Sequence, residues 1–394
     1  MAMIRADDQP QLFDVVPLDG PVDDARVQAS GREAARPRDW RRALGWSATS
    51  APVAFLLVIG IVLGPQGISL LSQSVLSSLH PVIPVAVAAL GVLVGLGVAD
   101  HRAGDRRVFA ATCLDAGVSM VVVWVGTALI LLWAAPEFGP FASWALLLVG
   151  SVCAATSLTL PRGDPLEPRS IVARVSELGV LLPVLVGGFV LAWLQAGSFI
   201  GTLALVVQAT VVTLTLAAAT WLLLTRTTSE TEERVFAIAA LLLVGGVADA
   251  LSLSALLGGL VAGLFWRVAG QRPRETIRRD VLFVQHPLLV VVLLVAGARA
   301  ELTLISLALG AGYLLLRVVG TLGGGLAAVR VLGERAPRDL WLHRLRPGAF
   351  GVAFALNAVA IVGTEASVLL TAVVVGTIGS ELVAFLLPPR SVDE

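Results

Sequence analysis

Apolar runs and polar gaps alternate along this chain from about residue 49 to residue 387. Runs long enough to cross roughly 30 Å of hydrocarbon fall at 49–64, 81–99, 108–134, 141–160, 170–193 and 198–224. A second set falls at 234–251, 253–268, 281–298, 302–330, 347–363 and 366–387. The pattern predicts twelve membrane-spanning helices and an all-α polytopic membrane protein. The first, eighth and eleventh runs are short, and the seventh and eighth almost touch. Residues 1–46 have no apolar period and carry an acidic and Arg-rich run, including Asp7, Asp8, Asp23, Asp24, Arg36, Arg38, Arg41 and Arg42. They read as a flexible tail. No short apolar core with a small-residue cleavage site opens the chain, so the tail does not read as a secretory signal.

Charge gives the predicted helices an orientation. All 28 basic residues are arginine. Seven lie in the tail, and others cluster at 102–107, 162–174, 226–234, 267–279 and 330–346, with Arg390 after the last run. The gaps between these clusters hold none, apart from Arg299. Every second gap is therefore basic, which places both termini in the cytoplasm under the positive-inside rule. The cytoplasmic membrane is the expected location. Hydrophobic residues make up 57% of the chain and charged residues 14%, against about 45–50% and 25% in soluble domains. Net charge is zero, so nothing points to nucleic acid. Cys113 and Cys153 lie in apolar runs without a CxxC pair and read as buried small residues.

Gly60/Gly64, Gly91/Gly95, Gly259/Gly263 and Gly320/Gly324 have the small-xxx-small spacing that lets membrane helices approach closely. Charges inside the runs are costly and mark candidate function. Arg317 stands in the middle of the tenth run, too deep to snorkel. A guanidinium keeps its proton, so it faces a cavity or ties two helices together. Glu177 lies about two turns into the fifth run. Desolvation favours its neutral form and a nearby guanidinium its charged form; a carboxylate held between the two can trade a proton for a cation. The alternative is a Glu177–Arg174 pair one turn apart. Asp115 and Glu381 stand about two turns from cytoplasmic ends, either lining a vestibule or pairing with a loop Arg. Asp249 is expected to cap the turn into the eighth run. Polar small residues collect in SVCAATSLTLP, with Ser151, Thr156 and Ser157, and in RPGAFGVAFALNAV, with Gly348, Gly351 and Asn357. Broken helices at matched places point to an inverted-repeat ion site. There is no HExxH and no Gly-x-Ser-x-Gly, so no enzyme is expected.

Several stretches resemble one family in the family's order: VIGIVLGPQGISLL, ALGVLVGLGVADHR, SVCAATSLTL, GVADALSLSALLGGLVAGLF, LLVVVLLVAGARAEL and LRPGAFGVAFALNAV. The chain resembles the monovalent cation:proton antiporter-2 family, closest in style to Kef-type and sodium/proton exchangers, over about residues 49–387. The resemblance implies an NhaA-like fold: two inverted repeats with crossed discontinuous helices, about 49–193 and 234–387, joined by a linker helix at 198–224. It implies a homodimer in lipid that exchanges Na+ or K+ for H+, with no cofactor. VSELGVLLP takes the place of the family's fifth-helix acidic pair, so Ser176 and Glu177 match it, and Arg317 matches the tenth-helix basic residue. The implied cation and proton site is Glu177, Ser176, Thr156 and Ser157. Arg317 compensates charge, and Asp115, Asn357 and Glu381 line the pathway. One titrating acid implies electroneutral exchange. Because Glu replaces Asp there, the alternative is a non-transporting membrane scaffold or sensor subunit that retains the fold; a carrier of organic anions, with Arg317 as counter-ion, is a further alternative.

Overall fold

A computed structural model of the chain describes residues 53–97, 106–134, 140–156, 171–227, 229–333, 340–345, 348–363 and 366–387. Side chains at 131, 133–145, 171–173, 177, 271–276 and 343 lie outside that description. The described residues form helices α1 Val53–Leu63, α2 Gln73–Ser78, α3 Val82–Gly97, α4 Arg106–Ala134 and α5 Pro140–Ala155. These are followed by α6 Ile171–Gly179, α7 Leu181–Ala196, α8 Phe199–Arg226, α9 Glu230–Ala250 and α10 Ala255–Val268. The last five are α11 Gln271–Arg299, α12 Leu304–Leu332, α13 Leu340–Leu345, α14 Ala349–Val362 and α15 Ser367–Leu386. With α6 and α7 counted as one broken span, a helix stands on each of the twelve predicted runs. Six are long and apolar enough to cross a membrane by themselves. The chain is a multi-pass membrane protein.

The runs expected to be short are short: α1 has 11 residues, and α10 and α14 have 14 each. At 1.5 Å per residue, 14 residues reach only about 21 Å, so these helices depend on neighbours to complete the crossing. α9 turns into α10 within four residues, and Ser252 adopts a left-handed conformation there (φ 54°). The capping expected of Asp249 falls elsewhere. Ser254 is the N-cap of α10 and accepts from the Leu257 amide, while Asp249 contributes only its backbone carbonyl, to the Ser252 amide.

Two bundles emerge. α1, α3, α9, α10 and α11 form a panel; α4, α5, α6–α7, α12, α14 and α15 form a core; α8 packs on α7, α9 and α10. The glycine spacings explain the closest approaches. Gly91 and Gly95 of α3 face Gly259 and Gly263 of α10, so a methyl group on any of the four would meet the opposing backbone. Gly60 of α1 and Gly64 just after it meet Leu294, Gly297 and Ala298 of α11 in the same way. In the core, Gly320 and Gly324 of α12 lie against Ser119 and Asp115 of α4. Lipid offers no hydrophobic drive between helices, so contacts this close are how the bundle gains packing. α8 turns Thr202, Ala209, Thr213, Ala217, Thr220 and Leu224 inward, while Phe199, Ile200, Leu203, Val207 and Val211 are exposed.

The pairings reveal the repeat. Match α1, α3, α4, α5 and α6–α7 in order with α10, α11, α12, α14 and α15. The α3–α10 contact then becomes α11–α1, α7–α10 becomes α15–α1, and α4–α12 and α5–α14 map onto themselves. All of these contacts are present. Under this match α8 and α9 stand outside the two sets of five spans.

Candidate functional site: two guanidiniums at a broken helix

The fourth span stops being helical at Ala155, and α14 crosses beside that end. A methyl group on Gly351 would stand 2.6 Å from the Cys153 carbonyl oxygen and 2.9 Å from Thr156 Oγ1. The last carbonyls of a helix have no intrahelical donor and carry the negative end of its dipole, about half a charge. Inside a membrane such groups need partners. Two arginines supply them: Arg344 Nη2 donates to the Ala155 carbonyl at 3.0 Å, and Arg317 Nη2 donates to the Thr156 carbonyl at 3.3 Å. Thr156 Oγ1 donates back to the Cys153 carbonyl at 2.8 Å.

Both guanidiniums are 2% exposed. Arg317 comes from mid-α12, with Tyr313 buried one turn earlier and Thr321 bonded to its carbonyl. No described carboxylate pairs with it. Arg344 forms an ion pair with Asp115 of α4, which is fully buried. Gly324 makes room for the Asp115 carboxylate, and a methyl group on Gly179 would stand 3.3 Å from Arg344 Nη2. Four elements therefore meet around Arg344: α4, the end of α5, the end of α6, and α13, which carries it.

The sequence missed Arg344. It belongs to the arginine cluster at 330–346 that the charge pattern assigns to a basic gap, yet Leu340 and Leu345 are fully buried beside it in DLWLHRL. That apolar spacing within a basic gap was the available signal. α13 and α14 are the described helices on either side of the second interruption. Asp115, expected either to line a vestibule or to pair with a loop arginine, is paired.

The fifth span breaks next to this cluster. Pro183 has no N–H to donate to the Gly179 carbonyl, so α6 ends and α7 begins there. Ser176 is buried on α6. Glu177 follows it, three residues before the break at Val180, and its side chain lies outside the described residues, as does the possible Glu177–Arg174 pair. Ser157 is also outside them. Asn357 and Glu381 are not drawn into the cluster and bond instead between the two bundles: Asn357 Nδ2 donates to Ser254 Oγ at 3.2 Å, and Glu381 accepts from the Ala54 amide of α1. Cys153 is buried, Cys113 half-buried, and neither is in a disulfide.

No protein-family model matches the sequence, and no curated protein matches it. Among solved structures, the chain is similar to the sodium proton antiporter MjNhaP1 from Methanocaldococcus jannaschii, determined at pH 8. The TM-score is 0.58 at 15% identity, over 85% of this chain and 89% of that one. The likeness establishes the architecture: this chain has the fold of a cation:proton antiporter.

Proposed function

We propose that the chain is a secondary active exchanger of a monovalent cation, Na+ or K+, for protons. The observation that carries this reading is the pair of buried guanidiniums on the broken end of α5, within a fold shared with a sodium/proton antiporter. A broken helix exposes backbone oxygens that can replace the hydration shell of a small cation. Thr156 and Ser176 add hydroxyl oxygens, and Glu177 adds the charge. Arg317 and Arg344 neutralise the negative helix end when no cation is present. A proton and a cation then compete for one carboxylate, and that competition couples their fluxes. The helix ends that border the arginine-rich gaps belong to the face where α1 begins and α15 ends, which we read as cytoplasmic.

The test is dissipation of a pH gradient in proteoliposomes when Na+ or K+ is added. Wild-type protein should respond to at least one ion. Glu177→Gln should abolish the response while leaving the protein folded, and Glu177→Asp should retain part of it. A folded wild-type protein that responds to neither ion overturns the reading and leaves a membrane scaffold built on the same fold.

A further inference from the structure

Two polar contacts between core and panel are related by the repeat. On the far face, where α7 ends and α10 begins, Gln195 Nε2 donates to the Ser252 carbonyl at 2.6 Å, in the turn before α10. On the near face, where α15 ends and α1 begins, the Glu381 carboxylate accepts from the Ala54 amide in the first turn of α1. Under the repeat, α7 corresponds to α15 and α10 to α1. A polar contact between corresponding helices is therefore built twice, upside down, with the side chain donating to a carbonyl before α10 and accepting from an amide of α1. In each repeat the last helix places a polar side chain on the N-terminal end of the other repeat's first helix. The near contact is the more strongly polar, because a carboxylate meets unbonded N–H groups at the positive end of a helix dipole. Glu381 also has a further interaction.

The far seam carries two more bonds. Asn357 reaches Ser254, the N-cap of α10, and Thr371 Oγ1 of α15 accepts from the Glu301 amide at the end of α11, at 2.9 Å. Beside Gln195 a cleft of about 10 Å³ lies between α7, α8, α10 and α14, lined by Ser252, Ser254 and Ile361 among others. It has room for about one water. Close packing seals the rest of this seam, since a methyl group on Gly188 of α7 would stand 2.8 Å from the Leu257 side chain.

We infer that these contacts are paired latches between core and panel, one per face, released alternately as the core moves. Releasing the Glu381 latch opens the near face; releasing the Gln195 and Thr371 bonds opens the far face. The inference rests on the exchanger reading for its purpose, but not for its test.

In a Cys113→Ser, Cys153→Ala background, one reporter is placed at each seam: Thr377→Cys, one turn from Glu381, and Leu191→Cys, one turn from Gln195. Labelling by a membrane-impermeant maleimide is timed in vesicles of each orientation. Glu381→Ala should speed labelling at the near reporter by about tenfold, the scale of losing one charge-assisted hydrogen bond, and slow it at the far one. Gln195→Ala combined with Thr371→Val should do the reverse. Glu381→Gln, which keeps an acceptor, should be intermediate and serves if the alanine variant does not fold. Unchanged rates, or both changes opening the same face, overturn the inference. Labelling needs no transport, so shifted accessibility without exchange would leave the latches standing and remove the exchanger.

Discussion

Asp115 and Arg344 meet fully inside the protein, where an ion pair is held at a high desolvation cost and each charge depends on the other. Removing one partner is therefore the harsher change. Asp115→Leu should lower unfolding free energy by about 3–5 kcal/mol, seen as a fall in Tm in detergent. Asp115→Leu with Arg344→Met should recover much of that loss, because it removes both charges. Recovery should be incomplete, since Arg344 also satisfies the Ala155 carbonyl. A single variant as stable as the wild type would show that the pair is solvated. At this scale, legibility followed surroundings. Arg317 stood out because a charge in the middle of an apolar run has no cheap explanation. Arg344 did not, because a basic gap is where arginine is expected, and nothing in a linear sequence shows that one arginine of that gap reaches the end of α5. Thr156 is legible from its place in a Ser/Thr stretch, but the group that Arg317 reaches is its backbone carbonyl, which any residue would have supplied.

Helix positions were readable from hydropathy, since lipid imposes one length and one composition on every span. What hydropathy leaves open is where a span is interrupted and which helices touch. The fifth run read as continuous, yet Pro183 divides it into α6 and α7. The small-xxx-small spacings were visible, but their partners were not: only the fold shows that Gly91/Gly95 and Gly259/Gly263 form one crossing. That crossing gives a sharp expectation. A side chain at Gly259 would meet the Ala88 backbone, which cannot move aside without shifting α3. Gly259→Leu should destabilise the protein by about 1–3 kcal/mol or more and lower the yield of folded protein. Gly246→Leu, on α9 where nothing stands within 4 Å of an added methyl group, should be close to neutral. Thermal melting of the two variants side by side makes the comparison. Equal losses would mean that helix propensity, rather than close approach, sets the cost.

Across the whole molecule, the proposed cycle draws on four charges: Arg317, Arg344, Asp115 and Glu177. With Asp115 committed to Arg344, Glu177 is left as the acid that titrates in the proposed cycle. The four sum to zero when Glu177 is ionised and to plus one when it holds either a proton or a monovalent cation. The two loaded forms then carry the same charge, so exchanging one for the other moves no net charge across the membrane. Exchange in proteoliposomes should therefore run at the same rate with or without a membrane potential set by a permeant lipophilic anion. A rate that follows the potential would mean that a second acid takes part. Asp115 would then be the first to examine, because it can titrate only if Arg344 withdraws from it. That withdrawal would also uncover the Ala155 carbonyl, so Arg344→Met should change the voltage dependence of such an enlarged cycle while leaving a one-acid cycle voltage-independent.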